Sequence, residues 1–370
     1  MIHLTPAMSL PAEVCNLIFD ACISDRALMA TWGLVSRQYL VSSRFHIFST
    51  VRLDYGNAHE FADILSSPSC DIALLVQHLM FSHRASRYSW FPDVLPRLPP
   101  FPNVMTLCLH NSRSVLTEDL RDLLRVGLPG VTRLEIVNFR FAYRAAAIDF
   151  ACGFAALQAL AFLPRIASAL ATATPAQIPS TLRSLALRCS VEEQPNWLLA
   201  ELAQPSAPAL TTLRVGEAGA RDFPGLVRAL GRQGQSLTSF ALDFSDTIVE
   251  VAFLRNYFLE PNTALRYLEL TLGSTVMVEL CVGFLSKLGS PVLEELVLDI
   301  WVDPAHFSEH PWEVLDAVIM SGPASATMRR VELRIGALIT WAPLAQSIRA
   351  RMPACEAWGL LCIRVDGEEC

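Results

Sequence analysis

The chain reads as an α/β protein: a small three-helix module over residues 1–53, then an irregular strand–helix solenoid over residues 54–370. The solenoid is expected to carry a parallel sheet on its concave face and helices outside. Three observations predict this. An apolar-x-x-apolar-x-apolar strand pattern recurs in steps of about 25–28 residues, with one longer step of about 35. Capped segments with 3.6-residue apolar stripes lie between the copies. The first fifty residues hold three short helical stripes in succession.

In the first stripe Pro11 suits an initial helical position, where its missing N–H costs nothing, and Glu13 favours the positive end of the helix. Val14, Leu17, Ile18 and Ala21 follow at i, i+3, i+4, i+7. Ser24 or Asp25 caps a second helix carrying Leu28, Met29 and Trp32, and Gly33 loosens its end. Ser36 caps a third helix with Tyr39, Leu40 and Ser43. Three helices this short cannot enclose a core of their own, so their surplus apolar surface must be covered by something else.

The order Leu10-Pro11-Ala12-Glu13-Val14, Gly33-Leu34-Val35-Ser36-Arg37 and Phe45-His46-Ile47-Phe48 resembles an F-box, the module that docks substrate receptors onto cullin–RING ubiquitin ligases. The resemblance covers residues 9 to about 53. It includes the Leu-Pro start, the Leu-Val-Ser-Arg turn followed by the aromatic Tyr39, and the closing Phe48-x-x-Val51-x-Leu53. Tyr39-Leu40 departs from the Trp-Arg of many members. The resemblance implies that Leu10, Pro11, Val14, Ile18, Leu34 and Val35 contact a Skp-type adaptor, and through it cullin and RING subunits. The bland reading of the same residues is a helical cap on the solenoid, apolar only for packing.

The strand pattern starts at Val104, Val131, Leu157, Leu182, Leu210, Leu237, Leu265, Leu293 and Met328, with an earlier copy at Val76–Phe81 and a last one near Leu361–Val365. Thr117, ahead of Glu118, Asp119, Leu120, Leu123 and Leu124, marks a capped helix with an acidic first turn. Further helices are expected at Trp197–Leu202, Phe223–Leu230, Ile248–Phe258, Val276–Leu288, Trp312–Met320 and Leu344–Ile348. Strand, helix, strand at this period is similar to a leucine-rich repeat of the long, helix-containing kind. The position that usually holds Asn or Cys after the strand is Ser112, Phe139, Ser190, Ala218, Ser245, Gly273 or Trp301. No asparagine ladder is therefore expected, and the arc should be less regular.

Composition sets limits. A 52% hydrophobic content suits strands flanked by packed helices. Phe150–Pro164, the longest charge-free apolar run, is shorter than the roughly 18 residues a membrane span needs. No secretory signal is read at the N-terminus, and a net charge of −7 argues against a general nucleic-acid binder. The ten cysteines form no Cys-x-x-Cys pair. Cys15, Cys108, Cys189 and Cys281 occupy small apolar positions, a usage that suits reduced thiols in the cytosol or nucleus. Cys355, Cys362 and Cys370 lack a ligand pattern.

His306-Phe-Ser-Glu309-His310 matches H-x-x-E-H, which holds zinc between two histidines one helical turn apart. Pro311 pushes His310 away from helical geometry, and Asp303-Pro304 reinforces a loop. The segment reads as a solvated insertion between repeats, not as a zinc hydrolase. No metal, cofactor or catalytic residue is expected.

Alternation along the strands places His110, Glu135, Arg188, Arg214, Asp243, Tyr267, Glu269, Glu295, Asp299, Glu332 and Arg334 on the concave face. Asp243, Glu269, Glu295 and Asp299 are expected as an exposed acidic strip for a basic substrate segment, with Tyr267 as anchor. The resulting expectation is a non-catalytic substrate receptor of a Skp–cullin–F-box ligase. The alternative is a repeat-based interaction scaffold engaging no ligase.

Overall fold

A computed structural model of the chain describes residues 11–22, 25–35, 37–82, 90–111, 115–168, 177–188, 197–219, 221–244, 259–272, 277–301, 310–336, 342–365 and 368–369. These form two compact units: residues 1–157 with 164–176, and 158–163 with 177–370. The contact division falls there and not at residue 53.

The first unit opens with helices α1 (Ala12–Ala21), α2 (Arg26–Val35) and α3 (Arg37–Phe48). Its sheet contains β1 (Thr50–Leu53), β2 (His78–Ser82), β3 (Thr106–His110), β4 (Val115–Leu116) and β5 (Arg133–Tyr143). β1, β2, β3 and β5 pair in that order, all parallel, and β4 pairs with the far half of β5. Helices at Ala58–Leu65, Phe91–Val94 and Glu118–Gly127 bridge the strands, and Arg144–Cys152 follows β5. Phe48-x-x-Val51-x-Leu53, read above as the end of the helical module, is itself a repeat strand. Val51 and Leu53 are buried and pair with Leu79 and Phe81 of the next copy.

One backbone device sets the register. The carbonyl of Ser49 accepts the N–H groups of both Gln77 and His78, that of Gln77 accepts Met105 and Thr106, and that of Met105 accepts Thr132 and Arg133. Beyond the strands, Phe81, Phe91, Phe139, Phe141, Phe150 and Phe154 meet ring to ring at 5.1–6.2 Å. Phe139, assigned to a turn from the pattern, is buried within a long β5. The expectation of no asparagine ladder also needs correction. Asn111 and Asn138 adopt left-handed φ values of 56° and 53°, which Asn tolerates better than most residues. The Asn138 amide donates to Asn111 Oδ1 at 3.3 Å. The pattern missed this pair because it sits one residue before the inspected position.

The second unit begins with residues 159–163 of β6 (Ala159–Ser168) and continues through β7 (Ser184–Arg188), β8 (Thr212–Ala218), β9 (Ser239–Phe244), β10 (Tyr267–Leu272), β11 (Glu295–Trp301), β12 (Arg330–Gly336) and β13 (Leu361–Val365). Each pairs in parallel with the next, and β14 (Glu368–Glu369) runs antiparallel to β13. The same double acceptance recurs at Gln158, Arg183, Thr211, Thr238, Arg266 and Glu294, at 2.8–3.1 Å. Helices occupy Trp197–Leu202, Phe223–Gln233, Met277–Leu285, Trp312–Ser321, Ala342–Arg351 and Pro353–Ala357. The helix expected at Ile248–Phe258 lies outside the described residues.

Buried polar side chains tie the helix ends to the following turns. Gln233 accepts Leu210 N–H and donates to the Pro208 carbonyl. Ser290 donates to the Leu265 carbonyl, and Asp316 accepts the N–H groups of Ala354 and Cys355.

Leu268 and Leu296 stand opposite one another on β10 and β11, both buried. Replacing either with alanine is expected to cost about 2–5 kcal/mol in a denaturant melt, as for other buried large-to-small changes. Hydrogen exchange should rise first in β9–β11, because each repeat packs mainly on its neighbours. An even rise from residue 177 to 370 would contradict this.

Candidate interaction surfaces

Among the described residues of the three-helix module, Met29 is the buried apolar side chain. Met29 is enclosed by Cys22, Trp32, Tyr39 and Ile47. Tyr39, the departure from the F-box pattern, packs into this core with its ring 6.5 Å from that of Trp32. Asp25 Oδ1 accepts Leu28 N–H at 2.9 Å, an N-cap bond that starts α2. Gly33 does not loosen a helix end. A Cβ there would lie 3.0 Å from the Ser43 hydroxyl, so glycine permits the close crossing of α2 and α3, and Ser43 donates to the Met29 carbonyl.

What the module cannot bury stays on its surface. Leu34 is 88% exposed, Val41 73% and Leu17 68%, with Val14, Leu40 and Phe45 also exposed. Of the expected docking residues, Pro11 and Val14 are exposed and Ile18 is half-buried. Leu10 lies outside the described residues, and Val35 is placed in α2.

In the second unit, the side chains between the core leucines line the opposite face of the sheet. They do not form an exposed acidic strip. Asp243, Thr271 and Asp299 lie in one row, with Arg334 next; Ala241, Glu269, Val297 and Glu332 lie in a second; Tyr267, Glu295 and Arg330 lie in a third. Glu269 is 6% exposed. It accepts Arg214 at 2.9 Å, Arg334 at 2.8 Å and the Tyr267 hydroxyl at 2.9 Å. Glu332 is similarly buried between Arg330 and Arg334, each at 2.8 Å, with Arg364 at 3.5 Å. Arg188 pairs with Glu217. Interleaved arginines neutralise the carboxylates, an effect missed when the acids are counted alone. Of the four acids Glu295 is exposed, while Asp243 and Asp299 are half-buried.

The pKa shifts separate these groups. Burial raises Asp243 despite Arg188 and Arg214, and raises Asp299 despite Arg334. Burial also opposes ionisation of Glu332, but the Arg334 hydrogen bond and the Arg330 and Arg364 charges outweigh it and lower its pKa. Tyr267 is pushed up to about 12, by burial and then by its bond to Glu269. Its hydroxyl is committed within the face, so only its ring remains for a ligand. Arg188, Arg214, Asp243, Glu269 and Thr271 surround an open cleft of about 290 Å³ over Ala186, Gly216 and Ala241.

The H-x-x-E-H segment behaves differently from a solvated loop at its end. His306 and Glu309 lie outside the described residues, whereas His310 is 5% exposed, edge-on to Trp312 at 5.8 Å. Arg351 donates to the His310 carbonyl. One cluster was not read as a unit from the sequence, although His110 and Glu135 were assigned to one face: Cys108 and His110 on β3 meet Glu135 on β5. Cys108 is not in the leucine lattice, as its spacing suggested, but between Leu107 and Leu109, on the face with His110.

No protein-family model and no curated protein matches the sequence. Similar solved structures include the leucine-rich repeat-containing protein LegL7 from Legionella pneumophila, at 14% identity and TM-score 0.43, covering 86% of this chain and 92% of that one. A Bacteroides fragilis protein follows at 11% identity and TM-score 0.34, covering 86% and 74%. The chain's own parallel strands, helical returns and repeat spacing define the class. This is a leucine-rich-repeat-like fold. Among the described residues no helix is long and apolar enough to cross a membrane.

The two kinds of carboxylate should respond oppositely to neutralisation. Glu332→Gln removes the partner of three arginines and is expected to cost about 1–3 kcal/mol at pH 7. That contribution is present above the unfolded carboxylate pKa and is lost as pH falls through the lower folded value. Asp299→Asn should instead stabilise at pH 7, because its raised folded pKa makes the ionised form unfavourable there. Thermal melts at pH 7 and pH 3.5 read both signs; destabilisation by Asp299→Asn at pH 7 would refute the assignment.

Proposed function

We propose that the chain is the substrate-recognition subunit of a Skp–cullin–F-box ubiquitin ligase, with the helical module docking the adaptor and the repeat sheet holding a protein substrate. The observation that carries this reading is the exposure of Leu34, Val41 and Leu17 on three short helices packed around Met29. An adaptor surface supplies the apolar contact that three short helices lack. The subunit performs no chemistry; it raises the effective concentration of a substrate lysine near the ubiquitin-loaded enzyme. Reduced thiols and the cytosolic or nuclear setting of such ligases agree with this.

The sheet face of the second unit is the cargo surface in this reading. Asp243 and Asp299 make none of the described ion pairs, while Glu269 is committed to Arg214, Arg334 and Tyr267. Burial disfavours the ionised forms of Asp243 and Asp299, and a basic side chain arriving between them would favour those forms, so the cargo segment is basic, with Glu295 at the exposed rim. The second reading, a repeat scaffold without a ligase, shares this cargo surface and differs at the module.

Leu10→Ala with Pro11→Ala, or Leu34→Asp alone, should abolish capture of a purified Skp-type adaptor in a pulldown while melts of the repeat units stay unchanged. Undiminished capture by Leu34→Asp would sink the docking assignment, and no capture by the unmodified chain would favour the scaffold. Asp243→Lys with Asp299→Lys should abolish retention of substrates captured with the module disabled, and spare adaptor binding. Substrates retained by that double variant would place cargo elsewhere.

A further inference from the structure

Cys108 and His110 are two residues apart on β3, so both side chains leave the same face of the strand. The register of β3 and β5 places Glu135 directly opposite Cys108. The three side chains converge: His110 Nε2 lies 3.0 Å from Glu135 Oε1, and Cys108 Sγ lies 3.7 Å from Glu135 Oε2. All three ligand atoms lie within 4.8 Å of one another. Cys108 is buried, while His110 and Glu135 are half-buried, so the cluster opens to solvent on one side.

We infer that Cys108, His110 and Glu135 form a zinc-binding site on the sheet face of the first unit, with the fourth position open to water or an incoming ligand. A thiolate, an imidazole and a carboxylate are the three side-chain types that zinc accepts. Ligand atoms about 2.0–2.3 Å from one zinc stand roughly 3.3–3.8 Å apart in a tetrahedron. The His110–Glu135 and Cys108–Glu135 separations lie close to that range, and rotation of His110 away from Glu135 would exchange their hydrogen bond for two metal bonds. Three protein ligands with one open position is the arrangement of reactive zinc sites, whereas structural sites close with four.

Binding at this site must displace the thiol proton. Burial, then the Glu135 charge and hydrogen bond, push the Cys108 thiol up to about 12. Without a metal, this thiol is an inert neutral group beside a carboxylate. A divalent cation reverses the local field and binds the thiolate outright. In that step the sulfur–hydrogen bond breaks, the sulfur–zinc bond forms, and one proton leaves to solvent for each ion bound. The site is independent of the docking and cargo surfaces proposed above.

Cobalt(II), a spectroscopic stand-in for zinc, tests the site in the full-length, tag-free chain. One equivalent should give a thiolate-to-cobalt charge-transfer band with tetrahedral d–d absorption, displaced by zinc, and release one proton per ion in weak buffer. Cys108→Ser should lose the charge-transfer band, and Glu135→Gln should keep it with affinity lower by about tenfold or more. Cys362→Ser should leave both unchanged. His110→Ala, which leaves every cysteine in place, tests the same site if Cys108→Ser does not fold, because it should lower affinity while retaining a weakened band. Absence of the band in the unmodified chain, its persistence in Cys108→Ser, or unchanged affinity in both Glu135→Gln and His110→Ala would overturn the proposal.

Discussion

The structure depends on one carbonyl oxygen per repeat. A carbonyl has two lone pairs, and just before nine of the described strands one oxygen uses both, accepting two consecutive N–H groups from the following copy. In the first unit Ser49, Gln77 and Met105 do this; in the second, Gln158 through Glu294. Two bonds to adjacent residues fix direction as well as position. A one-residue slip would send every side chain to the wrong face, so this junction decides which residues become core and which become surface. Threonines reinforce it, since Thr132, Thr211 and Thr238 also donate their hydroxyls to the same carbonyls.

Once register is fixed, the chemistry of the sheet face follows from neighbours in space. Repeats that differ in sequence still contribute one residue each to a row, so Glu269 meets Arg214 from β8 and Arg334 from β12, each two strands away. Cys108 meets Glu135 by the same logic. Glu269 is buried because long arginine stems lie over it, and its desolvation is offset by three hydrogen bonds, the condition under which a buried charge is tolerated.

Repeat strands and most helices were legible in the sequence, because Leu107, Leu134, Leu213, Leu268 and Leu296 mark a buried lattice at a nearly constant interval. The first repeat was hidden: Phe48-x-x-Val51-x-Leu53 belongs at once to the F-box resemblance and to the repeat lattice. The apolar exposure of the helical module was partly legible, since Val14 and Leu34 are exposed, whereas Gly33 acts through the distant Ser43 and could not be read locally. The acidic strip misread the site because periodicity reports which face a residue occupies, not what lies beside it. Arg214 and Arg334 were already assigned to the same face, yet their reach to Glu269 requires the pairing register.

Those cross-strand links qualify the picture of a solenoid as a chain of nearest neighbours. Apolar packing couples adjacent copies, but the Arg214–Glu269–Arg334 bridge spans five consecutive strands through side chains alone. At roughly 4.8 Å per strand, each arginine and Glu269 together bridge nearly 10 Å, their hydrogen bond included. A cargo segment lying across these rows would therefore meet a surface already ordered by its own ion pairs. Less side-chain entropy remains to be lost on binding there than over freely rotating charges. The burial of Glu269 and Glu332, which removes them as direct contacts for cargo, thus serves to hold Arg214, Arg330 and Arg334 in place on this face.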